Sequence, residues 1–459
     1  MPRRSILLSL VFALALQGCA LKREPAATEL GPTTLPNLQV PAVWKAFDTG
    51  SNALENGWLR SFADPGLEAL VDEALTYNTD LHAAAARVEQ AAAGIRVAGG
   101  ELYPALSAFG RSGADSGDGS GLAGVVLSAS WELDVWGRVR YGVRGARDQY
   151  AATEADYISA RQSIAALVAK AWFTAIEASA QLALVSDTLT SANALLSLAN
   201  DRVRVGVGSE LDVATARLNV DTYQDALVQT SLARDQALRA LETLLGRYPA
   251  AEIAVAPQFS TIPIRAATGL PSELLQRRPD VIAAWRRVGA AFNRVEQARA
   301  ARLPKITLTG SASDLTSELF VLQDRDSPVW GIGGTVLAPL FSGGALKAQV
   351  EVRTAEQEQA LAAYASTALK AFADVEGSLA GESAMLARES VLSTSVADSE
   401  RALRLAQIRY RVGSGDLRSV QQQLISWNSA RVNLLRVQSE RRIQRVNLHL
   451  ALGGDFTGS

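Results

Sequence analysis

The sequence predicts a mainly α-helical chain with a membrane β-barrel portion, built as two tandem structural repeats. Three observations predict it. No proline occurs between Pro104 and Pro249 or after Pro339, and residues 146–205 also lack glycine. Proline and glycine interrupt helices, so these runs favour helices of unusual length. The chain also resembles itself: RVRVGVGSELDV at 202–213 returns as RYRVGSGDLRSV at 409–420. Finally, short stretches such as VVLSASWEL at 125–133 alternate apolar and polar residues with period two, the signature of a half-buried strand.

The elements follow in chain order. Arg3 and Arg4 precede the apolar run ILLSLVFALAL at 6–16. The run is too short to span a bilayer and has the layout of a signal peptide over residues 1–18. Leu16-Gln17-Gly18-Cys19 resembles a lipobox, so Cys19 is expected to carry lipid and to open a lipid-anchored linker over 19–56. Cys19 is the only cysteine; once acylated, it leaves no thiol for a disulfide, a metal or a nucleophile. Beyond residue 20 no 18-residue apolar run is expected to cross a membrane as a helix.

The repeat is long. Residues 74–110 lie opposite 274–310 at a constant offset of 200, with Asp80 on Asp280, Arg87 on Arg287 and Pro104 on Pro304. The offset then becomes 207, with Gly206 on Gly413, Gly208 on Gly415 and Gly246 on Gly453. The expected repeats are 57–248 and 272–455, joined by a linker over 249–271. A unit this long is a duplicated half-molecule rather than a solenoid module.

Within each repeat a helix from about residue 137 to 205, and its counterpart, would be on the order of 100 Å long at about 1.5 Å per residue. Leu182, Val185, Leu189, Ala192, Leu196, Ala199 and Val203 are spaced alternately three and four, as in a coiled-coil seam. Leu392, Val396, Ser399, Leu403, Ala406 and Tyr410 keep the phase in the second copy. The doubled phrase marks two hairpin tips, about 206–210 and 413–417. There Gly206, Gly208, Gly413 and Gly415 are expected to permit a left-handed backbone. Strands are expected at about 103–110, 122–133, 304–311 and 329–340, near the length of a membrane β-strand. Tyr103, Trp131 and Trp330 are candidate interface aromatics. Loops over 110–121 and 311–328 join the pairs. Four strands cannot close a barrel in lipid, so several chains must share one. Two chains give eight strands and a filled barrel; three give twelve and a channel.

The chain resembles the TolC-type outer-membrane efflux proteins, of the lipid-anchored kind that serve resistance-nodulation-division pumps. The resemblance runs from about residue 55 to 455. It rests on GWLRSFADPGLEALVDEAL at 57–75, LLQRRPDVIAAWRRVGAA at 274–291, APLFSGGALKAQV at 338–350, the doubled tip and the lipobox. It implies a homotrimer with a twelve-stranded outer-membrane barrel on a periplasmic α-helical tunnel. It also implies an exit duct for small molecules, working with a periplasmic adaptor protein and an inner-membrane transporter.

The residues themselves offer no reaction chemistry. His82 and His449 have no partners at metal-ligand spacing. The net charge of −2 marks no nucleic-acid partner. In RRPD, Arg277 and Arg278 are expected to bond nearby carboxylates or carbonyls; Pro279 follows, and Asp280 is expected to cap a helix starting at 281. The resemblance places Asp212 and Tyr410 in a periplasmic gate. The family's tip arginine and lumen-facing acids are unmatched, since Gly415, Ser419 and Gln422 occupy those positions. Glu210, Asp416 and Arg418 are the expected substitutes, and Asp212 reads equally as a first-turn acid at a helix dipole. The tip residues Gly206, Gly208, Ser209, Gly413, Ser414 and Gly415 are the expected adaptor-docking surface. A protein-secretion duct of the same fold and a lipid-anchored coiled-coil scaffold are the competing readings.

Overall fold

Long helices dominate the computed structural model, which describes residues 21–26, 34–46, 56–111, 123–262, 268–316 and 329–456. In chain order they are α1 (Pro65–Tyr77), α2 (Thr79–Gly100), α3 (Arg138–Arg204), α4 (Glu210–Leu244), α5 (Leu274–Arg277), α6 (Pro279–Ala300), α7 (Ala345–Arg411) and α8 (Leu417–Ala451). The strands are β1 (Ala105–Arg111), β2 (Ala123–Leu133), β3 (Lys305–Thr316) and β4 (Val329–Leu337). Helices α3 and α7 each run 67 residues, and α4 and α8 each run 35. The signal segment, Cys19 and most of both inter-strand loops lie outside the described residues.

The chain divides into two compact units. The first comprises Met1–Leu38, Ala85–Asp156 and Asp280–Thr367. It holds one antiparallel sheet in the order β1-β2-β3-β4. The register sorts the sheet's faces, because directly opposed residues share a face. On one face Ala108, Leu127, Ala312 and Trp330 form a row; Leu106, Ala129, Gly310 and Ile332 form the next; Leu133, Ile306 and Val336 form another. On the other face Ser107, Ser128 and Ser311 align, followed by Ser130 and Thr309, then Glu132, Thr307 and Thr335. One face is thus apolar, while the other carries hydroxyls through its middle and an apolar row of Phe109, Val126 and Val329 beyond them.

The strand limits depart from those read off the sequence. β3 continues to Thr316, so residues 311–316 pair with β2 instead of opening the loop. β1 starts at Ala105, after Pro104, and β4 stops at Leu337 before Pro339, since proline cannot donate to a ladder. Tyr103 lies exposed beside the β1 start, while Trp330 lies exposed at the opposite end of the sheet. Trp131 is half-buried, its indole donating to the Leu102 carbonyl at 2.9 Å.

The N-terminal segment is anchored in the same unit. The Lys22 amide donates to the Tyr141 hydroxyl at 2.8 Å, and its ammonium meets Glu296 at 3.3 Å. Asn293, fully buried, donates to Glu24 at 2.6 Å and to Asp148 at 2.9 Å. Burial and the neighbouring Glu24 charge push the Asp148 carboxyl well above its usual range.

The second unit comprises Gln39–Ala84, Tyr157–Pro279 and Ala368–Ser459 and contains the main core. Trp58, Phe62, Leu67 and Val71 pack on Ile164, Val168, Phe173 and Ile176 of α3, with Leu241, Leu245 and Val446. Asp64 caps α1 through the Leu67 amide at 3.1 Å and accepts the Trp172 indole at 2.8 Å. One 18-residue window of α3 reaches a mean hydropathy of 1.3, which by length and composition alone would be enough to cross a membrane. The N-terminal linker docks here too: Trp44 is buried and donates to Gly269, and Glu376 accepts the amides of Lys45 and Ala46.

The seam on α3 holds the expected positions, with Val185, Ala192 and Ala199 buried and Leu182, Leu189, Leu196 and Val203 half-buried, and Thr188 and Leu195 join it as buried neighbours. Thr188 enters the seam because its hydroxyl is satisfied twice, by Leu184 O at 2.8 Å and Asn428 Oδ1 at 3.1 Å. On α7 the expected positions 392, 396, 399, 403, 406 and 410 are the buried or half-buried ones. Gly381 lies where the Gln444 side chain of α8 approaches, next to the buried Glu382–Arg445 pair.

The RRPD stretch is a junction. Arg278, nearly buried, donates to Asp374 and to the Ala451 carbonyl, both at 3.2 Å. Asn78, 200 residues earlier, donates to the Leu244 carbonyl at 2.9 Å. Each long return helix therefore has a C-terminal carbonyl satisfied by the residue that precedes a helix start. Gly246 and Gly453 pass so close to Tyr77 and Arg278 that a Cβ would clash. Among the described residues Arg277 pairs with Glu273, at 3.9 Å. Helix α6 begins at Pro279, two residues earlier than expected, so Asp280 sits inside the first turn with Oδ1 on the Val281 amide at 2.9 Å. Proline at the first helical position costs no hydrogen bond, which moves the start back.

Two outcomes follow from this packing. Arg278→Ala leaves Asp374 and the Ala451 carbonyl unpaired, and is expected to cost about 2 kcal/mol; thermal melting followed by circular dichroism checks it. His449, buried against Trp58 at 5.5 Å, is held down to about 3 by burial, with the Arg445 charge adding to it. The unfolded imidazole titrates near 6.5, so the unfolded chain takes a proton that the folded chain refuses. The contribution is fully present above pH of about 6.5 and is lost as pH falls toward the folded value. At pH of about 5.5 the loss reaches about 1.4 kcal/mol. Melting curves of His449→Phe against wild type across that range should show the slope disappear.

Candidate functional site

The two hairpin tips are made by the same backbone device. At the end of α3, Gly206 N donates to Val203 O and Val207 N to Arg202 O, both at 2.9 Å. At the end of α7, Gly413 N donates to Tyr410 O at 3.1 Å and Ser414 N to Arg409 O at 2.9 Å. These bonds satisfy the last carbonyls of a helix and need a left-handed residue. Gly206 and Gly413 supply it, each with φ of 79°.

Gly208 and Gly415 have another task than the expected one. Neither has a positive φ. A Cβ on Gly208 would lie 2.6 Å from the Val203 amide nitrogen, and one on Gly415 would lie 3.1 Å from the Arg409 Cβ. The chain folds back against its own helix end there; a side chain at Gly208 would collide with the helix backbone, and one at Gly415 would be tightly placed. Gly206 and Gly413 instead have nothing within 4 Å of the Cβ position, so open space surrounds them. Ser209 caps α4 through the Leu211 amide at 3.1 Å, and Asp416 caps α8 through the Ser419 amide at 2.7 Å. That amide holds the Asp416 carboxyl below its usual range. The Ser414 hydroxyl donates to Arg409 O at 3.3 Å. Glu210 and Arg418 are exposed.

The structure brings Asp212 and Tyr410 together and leaves Glu210 and Arg418 outside. Leu195 and Ala199 of α3, Ala216 of α4, Leu403 and Tyr410 of α7, and Leu417, Val420 and Leu424 of α8 form one apolar cluster beneath the tips. Tyr410 is 1% exposed, and the Asp212 carboxylate lies near its hydroxyl. Burial pushes the phenol pKa up, and the charge of the nearby half-buried Asp212 adds to the shift. The Asp212 carboxylate also sits in the first turn of α4, where the helix dipole favours it.

Sequence reasoning missed Arg202. Its Nη1 donates to the Tyr410 carbonyl at 2.7 Å and its Nη2 to Val207 O at 3.3 Å. Its guanidinium carbon lies 4.7 Å from the Tyr410 ring centroid. A signal was available: Arg202 and Arg409 are the first arginines of the doubled phrase, 207 residues apart.

The comparisons with known proteins agree with this architecture. Residues 70–247 and 270–454 match the model of the family described as outer membrane efflux protein. The chain is 33% identical to the pyoverdine export outer membrane protein OpmQ of Pseudomonas putida, over 99% of this chain and 98% of that protein. It is 28% identical to the cation efflux system protein CusC of Escherichia coli, over 98% of each. Among solved structures, the open state of the MtrE outer membrane channel of Neisseria gonorrhoeae superposes with a TM-score of 0.81 at 30% identity, covering 96% of this chain and 99% of that one. The outer-membrane channel OprN gives 0.82 at 26% identity, covering 92% and 99%. The long helices, the four-stranded sheet and the paired tips are therefore those of an efflux channel, and the chain belongs to the outer membrane efflux protein family as an exit duct at the outer membrane.

Proposed function

We propose that three copies of this chain form one duct, each adding its four strands to a twelve-stranded barrel and its long helices to a periplasmic tunnel. The observation that carries this reading is the sheet: among the described residues β1 and β4 have no outer partner. In hydrocarbon an open strand edge leaves unpaired amides and carbonyls at several kcal/mol each. Joining β4 of one copy to β1 of the next removes every edge. The sheet's apolar face would then meet lipid and its serine and threonine rows would line water, the alternation of a membrane barrel. The equal lengths of α3 and α7, and of α4 and α8, support a duplicated half-molecule.

In this reading the duct catalyses no reaction. It passively conducts small molecules handed over by a periplasmic adaptor and an inner-membrane resistance-nodulation-division transporter. Relatives named for pyoverdine export and cation efflux favour small solutes over polypeptides as cargo. Cys19 carries the lipid anchor: Leu21, two residues on, packs against Gly137 at the strand-to-helix junction, which would hold the anchor beside the sheet. The tips form the gate, with Asp212 and Tyr410 at its centre. The open space around Gly206 and Gly413, together with Ser209 and Ser414, supplies the docking face for adaptor helices.

Single-channel recording of the detergent-purified protein in a planar bilayer tests the duct. Small steady steps are expected from wild type, and a several-fold larger conductance from Asp212→Ala with Tyr410→Ala. A folded oligomer silent in both forms would overturn the reading. Cysteine placed at Ser209 or Ser414, in the Cys19→Ala background, is expected to crosslink to the adaptor's hairpin. An absence of adduct at both sites would remove the docking face from the tips.

A further inference from the structure

We infer that a cavity between α3, α8 and residues 257–260 binds a small organic acid, one carboxylate on an apolar body, and that Arg442 holds the carboxylate. The inference stands apart from the duct, the gate and the docking face.

The cavity lies wholly within the second unit and has a volume of about 500 Å³. Small-molecule sites span roughly 300–1000 Å³ and are mostly apolar, with a few polar groups that fix orientation. Ile176, Ala180 and Leu184 of α3 form one wall here, and Leu434 and Leu435 of α8 form another. Phe259 lines the cavity from the segment that follows α4. These side chains suit an apolar body, and the polar lining residues must orient it.

Arg442 is the lining group with chemistry left over. It is 7% exposed. Its Nη1 donates to the Gln438 carbonyl at 2.8 Å and its Nη2 to the Ser260 carbonyl. Its guanidinium carbon lies 4.5 Å from the Phe259 ring centroid. Among the described residues its buried Nε has no hydrogen-bond partner, and neither has the buried Ser260 hydroxyl beside it. Carbonyl dipoles do not neutralise a cation, and burial pushes the Arg442 pKa down to about 10.

Neighbouring arginines on α8 show what Arg442 lacks. Arg441 pairs with Glu389 at 2.7 Å, Arg445 with Glu382, and Arg431 with Asp187 at 3.7 Å. Arg442 meets two carbonyls and a ring instead. Glu389 attracts it from a distance, but the bond of that carboxylate goes to Arg441. A buried guanidinium without its own carboxylate is costly, and a ligand carboxylate offsets that cost through a charged hydrogen bond. One unpaired cation suits one negative charge. A phosphate dianion asks for more, and Arg431, the other arginine lining the cavity, is already paired.

Fluorescence titration of 2-naphthoate into the purified full-length protein, in a neutral maltoside detergent, tests the site. The uncharged analogue 2-naphthylmethanol is titrated in parallel. Saturable binding of naphthoate is expected, with a rise in melting temperature, and the alcohol should bind about tenfold more weakly. Arg442→Met keeps an apolar stem and is expected to lose that discrimination while melting at or above wild type, since it removes an unpaired buried charge. Ala180→Trp fills the cavity from α3 with Arg442 in place, and should abolish saturable binding of both compounds. Binding that never saturates, or that is equal in wild type and Arg442→Met, is uptake by micelles and overturns the site. No binding to wild type also overturns it, and means that protein, such as a second copy of the chain, covers the cavity. Should Arg442→Met fail to fold, acid against alcohol on wild type decides: equal affinity removes the carboxylate from the proposal.

Discussion

Backbone hydrogen bonding inside a membrane is the constraint on which the rest depends. Four antiparallel strands present one apolar face and one face whose middle carries serine and threonine, which suits a wall between lipid and water. They also present two edges, which suit neither. Lengthening the chain to close a barrel by itself would need many more strands. Sharing one barrel among copies needs only that the outer strands match. In the proposed shared barrel, whatever follows each strand pair would be repeated around the same axis.

The ends of the long helices show a second constraint. A helix of 67 residues delivers its unsatisfied carbonyls to a single point, and the chain must reverse there. All four return points use one solution: a glycine with positive φ after the last turn, at Gly206, Gly246, Gly413 and Gly453. At the tips the reversal leads directly into a capped helix. At the other ends Asn78 and Arg278 add a side chain to Leu244 O and Ala451 O. The arginine of RRPD therefore belongs to the same bookkeeping of carbonyls as a plain asparagine 200 residues earlier.

This explains what could be read from the residues. Helix lengths, tips and strand alternation were legible because each is a local rule: proline-free runs, paired glycines, period two. The limits of β3 were not, since Ser-Ala-Ser-Asp at 311–314 favours a loop and pairs because β2 lies beside it. Nor was Thr188 in the seam, whose burial depends on Asn428 from another helix. The N-terminal linker read as a tether; Trp44, Lys22 and Glu24 are held by partners more than 100 residues away, which no local pattern reveals. Arg202 escaped for the same reason, although its place in a doubled phrase was visible.

The doubling itself sets what the tips can do. Backbone at the two turns is the same, down to φ values and the glycines that clear the helix ends. The side chains are not: Val203 corresponds to Tyr410, and Ser209 to Asp416. The two tips therefore share a backbone and differ in what they bury: Tyr410 enters the apolar cluster with Leu403, Leu417 and Leu424, whereas Val203 at the equivalent place is half-buried. Duplication kept the turn, and divergence changed the side chains it carries.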